Sequence, residues 1–563
     1  MKLQDQSRTE ARRAPHGALP RPIGRWSGHE APAAGPDALR EALSALDRPC
    51  FLIDHHGDLA VQTSGQASLG DGSSEGSPLL AYVPPLPVSS LGDPAFRQEY
   101  GVRYAYMTGA MANGIASVEL VDAVARHGML GIFGAAGLSL ERIAAAIDRL
   151  QKSLGDLPFG INLIHSPGEP IHEAKTVDLL LERGIDLIEA SAFLDLTLPL
   201  VRYRLHGIHR DVHGDIVVPN RVIAKVSRVE VAEKFFSAPP EKMIARLVQS
   251  GELTEAQAEL ARQVPVAQDL TAEADSGGHT DNRPAITLLP TMIALRDAKQ
   301  PSFPGWPLRV GAAGGIATPA STAAAFSLGA AYVVTGSVNQ ACVESGSSDV
   351  VRKLLAEASQ ADIAMAPAAD MFEMGVKVQV LKRGTMFAMR AQRLFELYRA
   401  HDRLEDIPES ERSQLEKTVF RAPIEDIWRQ TRAYFEGLDP GQIERAERDP
   451  HHKMALVFRW YLGQTSRWAN AGEAGRQIDY QVWCGPSMAS FNEWTKGSFL
   501  AEPTARRVTT VAGNLLVGAA YTLRARSLEL QGLRLPPSVA ATRPHQPAEL
   551  DRLLDSPVSF QKP

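Results

Sequence analysis

Two adjacent glycines and a histidine stand together in EADSGGHT, residues 273–280, between a run that reads as a strand and one that reads as a helix. A second pair, Gly314 and Gly315 in GAAGGIA, follows another apolar run, and Thr335, Gly336 and Ser337 follow the next. Consecutive glycines let backbone N–H groups approach an anion with no Cβ in the way, and a helix N-terminus adds partial positive charge. Gly277 and Gly278 are therefore candidates to approach a phosphate, and His279 to point at whatever that phosphate anchors. An imidazole, with an ordinary pKa of ~6.5, exchanges protons at neutral pH with little adjustment.

Such loops need a scaffold that brings them to one place. Eight short apolar runs supply it: VRYAYMTG, MLGIF, FGINLI, IDLIEA, RVIAKV, PVAQDLTAE, PLRVGAA and AAYVVTG. Most alternate with helical patterns, several begun by a capping residue (Ser117, Ser139, Thr318) and stopped by a glycine (Gly128, Gly155, Gly184, Gly329). Alternation alone does not separate a closed sheet from a doubly wound one. Eight strands over roughly 250 residues favour an α/β fold of the TIM (β/α)8 barrel type, whose loops after strands seven and eight usually seat phosphate. The predicted barrel spans 100–360, with 228–264 a helical insertion after strand five placed as a lid. Residues 1–36 read as a flexible tail, 37–99 as a small α+β appendage, 361–535 as a helical domain rich in tryptophan, and 536–563 as a C-terminal tail.

Composition removes several function classes. A chain of 563 residues with 44% hydrophobic content buries a large core, and its net charge of −6 offers no global field for nucleic acid. Cys50, Cys342 and Cys484 match no zinc or redox spacing, which suits a reducing compartment, and the charged, proline-punctuated N-terminus has no secretory h-region. No apolar run is long enough to cross a bilayer, so a cytoplasmic protein without membrane contact is expected. GAMANG and GAAGGI both miss the dinucleotide-binding spacing. His206, His209 and His213 recur at intervals of three and four, but glycines interrupt them and no further ligand completes a set, so no metal is assigned. The basic stretch 377–403 is either a docking surface for an acidic partner or a solvated helix face.

At this point a resemblance emerges. MTGAMANGIASVELVDAVARHGMLGIFGAAG, FGINLIHSPGEP, LIEASAFLDLT, VIAKVSR, EADSGGHTDNRP and GAAGGIATPASTAAAFSLGAAYVVTGSVNQ resemble the PfaD family over roughly residues 80–520. That family comprises flavin-dependent, trans-acting enoyl reductases of polyunsaturated fatty acid and polyketide synthases, related to nitronate monooxygenases. The resemblance implies FMN, with Gly109, Ala110 and Met111 against the flavin ring and Asn162 and Lys225 close to it. It also implies that Gly277, Gly278, Gly314, Gly315, Thr335, Gly336 and Ser337 form the FMN phosphate loops, and that His279 is the active-site histidine.

The reaction so implied takes hydride from NADPH or NADH and delivers it to the β-carbon of an enoyl thioester on an acyl carrier protein. His279 is then the candidate to protonate the α-carbon, or else to hydrogen-bond the flavin or the thioester carbonyl while water supplies the proton. Lys225 has a second reading as the ion-pair partner of a carboxylate such as Glu189. Nitronate monooxygenases usually carry proline where this chain has Ala110, and they lack the insertion at 228–264 and the long C-terminal region. These departures favour the reductase. A nitronate monooxygenase-like oxidase and a non-catalytic flavoprotein subunit of a synthase are the alternatives.

Overall fold

Strands flanked by helices on one side and packed side chains on the other read as nearly continuous apolar runs, and all eight predicted runs become strands. The computed structural model describes residues 19–70, 75–165, 167, 170–278 and 280–554. The strands are Tyr106–Thr108, Leu130–Phe133, Phe159–Ile164, Leu187–Ser191, Arg221–Val226, Asp269–Glu273, Arg309–Ala313 and Val333–Thr335. They pair in sequence order, all parallel, and close when the eighth pairs with the first through Val333 and Tyr106. The fold is a TIM barrel with further helical regions.

Its base is tied by a buried bidentate pair, Arg309 to Asp269, with both bonds at 2.7 Å and the Tyr100 hydroxyl donating to the same carboxylate at 2.8 Å. Gly311 is dictated by packing, because a Cβ there would stand 2.3 Å from the Tyr332 ring. Ser117 caps Val118–Arg126 as its type predicts: its hydroxyl accepts from the Leu120 N–H at 3.0 Å and donates to the Glu344 carbonyl at 2.5 Å. Ser139 occupies the matching position before Leu140–Leu154 but makes no capping bond. Ser117→Ala is therefore expected to cost about 1–2 kcal/mol in a denaturant melt, and Ser139→Ala distinctly less.

The insertion after strand five forms helices Val229–Phe235, Glu241–Gln249 and Glu255–Ala261. It is not a lid. Val231, Ala232 and Phe235 are buried, and the first of these helices packs on the fifth strand and on helix Ala285–Lys299, so the segment builds the outer wall.

The cover comes instead from the C-terminal region. It opens with a hairpin that its helical texture does not predict, Ile363–Pro367 paired with Lys377–Leu381. The helices that follow, among them Phe387–Ala400, Ile424–Leu438 and Pro450–Ala471, enclose a core in which Phe420, Phe458 and Tyr461 pack together. Inside it the buried Asp479 accepts from Tyr461 at 2.9 Å, from Arg421 and Arg476 at 3.2 Å, and from Arg390. Arg390 is thus structural, and Arg393 pairs with Glu411 at 2.6 Å, which removes much of the free charge expected along 377–403.

Contacts divide the described residues into 89–519 with 543–550, just covered, and a smaller unit of those within 19–88, 520–542 and 551–554. In the smaller unit a six-stranded antiparallel sheet runs in the order 33–34, 58–62, 50–55, 77–83, 24–27, 66–69. Helix Pro36–Ser44 and the C-terminal residues Tyr521, Leu528 and Val539 share a core with this sheet. Two expectations change here. Part of the predicted tail, Gly24–Ser27, is a strand, because Trp26 is buried in the sheet core and its indole donates to the Ser64 carbonyl at 3.0 Å. The second predicted tail contains helices Pro537–Ala540 and Pro547–Leu554, the first anchored where the Tyr521 hydroxyl donates to the Val539 carbonyl. No described helix is long and apolar enough to cross a membrane.

Candidate active site

A parallel barrel gathers its βα loops at one end, and the sequence-predicted residues meet there around one cavity. Gly109, Ala110, Met111, Asn162, Lys225, Gly277, Gly278, Gly314, Gly315, Thr335, Gly336 and Ser337 all line it. His279 lies outside the described residues.

Each loop is held by a local constraint. After strand one, the Gly109 N–H donates to the Thr335 carbonyl at 3.0 Å and the Ala110 N–H to Glu189 Oε2 at 3.1 Å. Within strand three, Asn162 is buried and gives its amide N–H groups to the Glu189 carbonyl and Ser191 Oγ, both at 3.0 Å. Its side-chain oxygen is what it has left to offer the cavity. After strand seven, Gly314 takes φ +81° and Gly315 φ +76°, and a Cβ on Gly314 would lie 2.6 Å from the Ala274 carbonyl carbon. Gly315 and Gly336 face open space. Among the described residues, the N–H groups of Gly315, Ile316, Gly336 and Ser337 find no acceptor. Four such donors on two adjacent loops form a cradle for an anion. Thr335 contributes backbone only, since its hydroxyl bonds Tyr106 at 2.5 Å and Asn339 at 2.8 Å inside the barrel.

Beside the cradle sits a charged triad at the ends of strands four, five and six. Lys225 Nζ is 3.6 Å from Glu189 and 3.7 Å from Glu273. Glu189 is fully buried and its Oε1 has no partner among the described residues; burial pushes its carboxyl pKa up, with Lys225 partly opposing. Burial alone would lower the Lys225 pKa, but Glu189 and Glu273 outweigh it and hold it above the ordinary lysine value. Lys225 therefore stays protonated through neutral pH. It is a fixed donor and a poor source of a proton.

The roof was not legible in sequence. Segment 481–485 runs along the hairpin, with an isolated bridge from Val380 to Trp483, and sits so close to the barrel that a Cβ on Gly485 would be 3.0 Å from the Gly277 nitrogen. The Gly485 N–H donates to Ser337 Oγ at 3.2 Å, and Val378, Trp483 and Ser487 complete the cavity wall.

Comparison with known proteins agrees with this architecture. Residues 100–396 match the nitronate monooxygenase family, residues 26–85 the N-terminal domain of fatty acid synthase subunit PfaD, and residues 401–480 the inserted helical domain of [acyl-carrier-protein] S-malonyltransferase. The chain is 45% identical over 528 residues to a polyunsaturated fatty acid synthase subunit of a Thraustochytrium species, covering 91% of this chain and 34% of that protein. It is 45% identical over 439 residues to polyketide biosynthesis protein PksE of Bacillus subtilis, covering 78% of this chain and 57% of that one. This chain thus spans about a third of the first of these relatives and just over half of the second. Among solved structures, the enoyl reductase domain of MlnA from the macrolactin biosynthesis cluster of Bacillus amyloliquefaciens superposes with a TM-score of 0.74 at 38% identity, covering 79% of this chain and all of that domain. The chain belongs to the nitronate monooxygenase family of barrels, in the group that carries the PfaD N-terminal domain.

Proposed function

We propose that this protein is an FMN-dependent enoyl reductase that saturates the α,β-double bond of a thioester on an acyl carrier protein, with NADPH or NADH as hydride donor, in polyketide or polyunsaturated fatty acid synthesis. One observation carries the reading: a cavity at the C-terminal barrel mouth, roofed by its own C-terminal segment, holds an N–H cradle beside a protonated lysine. The residues fit FMN, since the cradle suits a phosphate and a Cβ at Gly315 or Gly336 would occupy the space an anion needs. The 38% identity to the MlnA enoyl reductase domain supports the reaction class.

When bound, FMN supplies two-electron hydride exchange with nicotinamide and with an activated alkene. The chain's own residues do the rest. Gly315, Ile316, Gly336 and Ser337 hold the phosphate through their backbone N–H groups, while the Gly109–Met111 loop, Asn162 and Lys225 orient the ring system. Trp483 and Val378 exclude water from above. His279 gives the α-carbon its proton, a step Lys225 is too basic to share.

The test is an anaerobic absorbance trace with NADPH and then a crotonyl thioester on a carrier protein. Bound flavin should bleach with NADPH and recover with the thioester, and His279→Gln should keep the first step and slow the second. Flavin that NADPH leaves oxidised would defeat the reductase reading. The match to the nitronate monooxygenase family makes an oxidase the second reading, and nitronate-dependent oxygen uptake would identify it.

A further inference from the structure

Outside the cavity, between helices Val118–Arg126 and Leu140–Leu154 of the barrel and helices Ile424–Leu438 and Pro450–Ala471, lies a second cleft of about 1300 Å³. The two spaces adjoin, because Ala112, Ala136, Ile164, Val378 and Trp483 line both. This shared throat is buried or half-buried and mostly apolar, whereas Arg142 and Arg467 on the cleft wall are exposed. The cleft carries four arginines, Arg142, Arg149, Arg459 and Arg467, and no lysine. It is lined by three carboxylates: Glu119 pairs with the cleft's own Arg149 at 2.6 Å, Glu173 pairs with His165 at 2.7 Å and accepts from Thr197, and Asp370 lies on the wall as well. Among the described residues neither Arg142 nor Arg467 has a carboxylate partner, and Arg467 lies over the Tyr434 ring, 6.0 Å from its centroid. Asn113, Gln430 and Gln464 also line the wall, the Asn113 amide donating to Ser466 Oγ at 3.0 Å.

A positive rim, an amide-bearing wall and an apolar throat leading to the reaction cavity match, from outside inward, a phosphodiester, two amides and a thioester. We infer that this cleft receives the 4′-phosphopantetheine arm of the acyl carrier, with Arg142 and Arg467 holding its phosphate. The inference rests on the reductase reading for its thioester and on the cleft alone for its phosphate. Of the two readings of 377–403, docking surface or solvated helix face, the docking one loses Arg390 and Arg393, which are already paired.

The test is calorimetric titration of the full chain with 4′-phosphopantetheine and with pantetheine, which lacks only the phosphate. The wild type should bind the phosphorylated arm about tenfold tighter or better, the value of one or two charge-assisted contacts. In the double variant R142E/R467E that ratio should fall to about one, with pantetheine itself little changed. Equal binding of both probes by the wild type, or an unchanged ratio in the variant, overturns the assignment. So does a variant that loses NADPH affinity while keeping the phosphopantetheine ratio, because the cleft then belongs to the dinucleotide. A phosphate-dependent ratio in a protein that reduces no thioester upholds the arm site and defeats the reductase reading alone.

Discussion

Replacing Lys225 with methionine should cost about 3–5 kcal/mol of stability at pH ~8, the usual consequence of stranding buried charge, and much less at pH ~5. The lysine lies between Glu189 and Glu273 and is their only cationic neighbour in the triad. Glu189 is fully buried, with one oxygen bonded to the Ala110 N–H and the other unpartnered, so its ionised form depends on the lysine's field. Its folded-state pKa is already raised by burial, and losing Lys225 raises it further. A carboxyl whose folded pKa exceeds its unfolded value keeps its stability below the unfolded pKa and loses it as pH rises through the folded one. The difference in melting temperature between wild type and Lys225→Met should therefore widen from pH ~5 to pH ~8. Adding Glu189→Gln should recover part of the loss at the higher pH, because it removes the stranded charge. A gap of constant size across this range would show that the triad does not hold its carboxylates ionised. Flavin content should fall with Lys225→Met as well, since the same side chain lines the cavity.

What the sequence disclosed follows from how local each signal was. The barrel was legible because buried parallel strands read as short apolar runs and because Ser117 and Thr318 cap helices through bonds within three residues. The glycine loops were legible because their order along the chain is their order around the barrel. Trp483 and Ser487 were not legible, because they reach the cavity only when a segment more than a hundred residues downstream folds back on strand Lys377–Leu381. The insertion reads as a lid but packs on the fifth strand and helix Ala285–Lys299, since an amphipathic helix shows that one face is buried, not what buries it. Strand Gly24–Ser27 reads as a tail in sequence because its order is owed to partners at 66–69 and 77–79. The Glu189 carboxylate was visible only as one possible partner of Lys225; that it also anchors the Ala110 loop is a matter of geometry.

Gly314→Ala and Gly315→Ala should separate the two reasons for a glycine pair. Both positions have φ in the left-handed region, which costs an alanine about 1–2 kcal/mol. At Gly314 the added methyl also meets the Ala274 carbonyl carbon at 2.6 Å and its oxygen at 2.7 Å, backbone atoms in a barrel wall that cannot swing aside. Gly314→Ala should then lose about 2–5 kcal/mol in total, strain plus overpacking, and purify with little flavin. Gly315→Ala meets no protein atom within 4 Å, so its melt should shift by the backbone strain alone. Its methyl would still project into the space beside the unpaired N–H groups of Ile316, Gly336 and Ser337, where the phosphate is proposed to lie. FMN affinity should drop at least about tenfold there, equivalent to losing roughly one charge-assisted hydrogen bond. If Gly315→Ala kept full FMN affinity, the cradle would not be a phosphate site and the glycine pair would serve the turn alone.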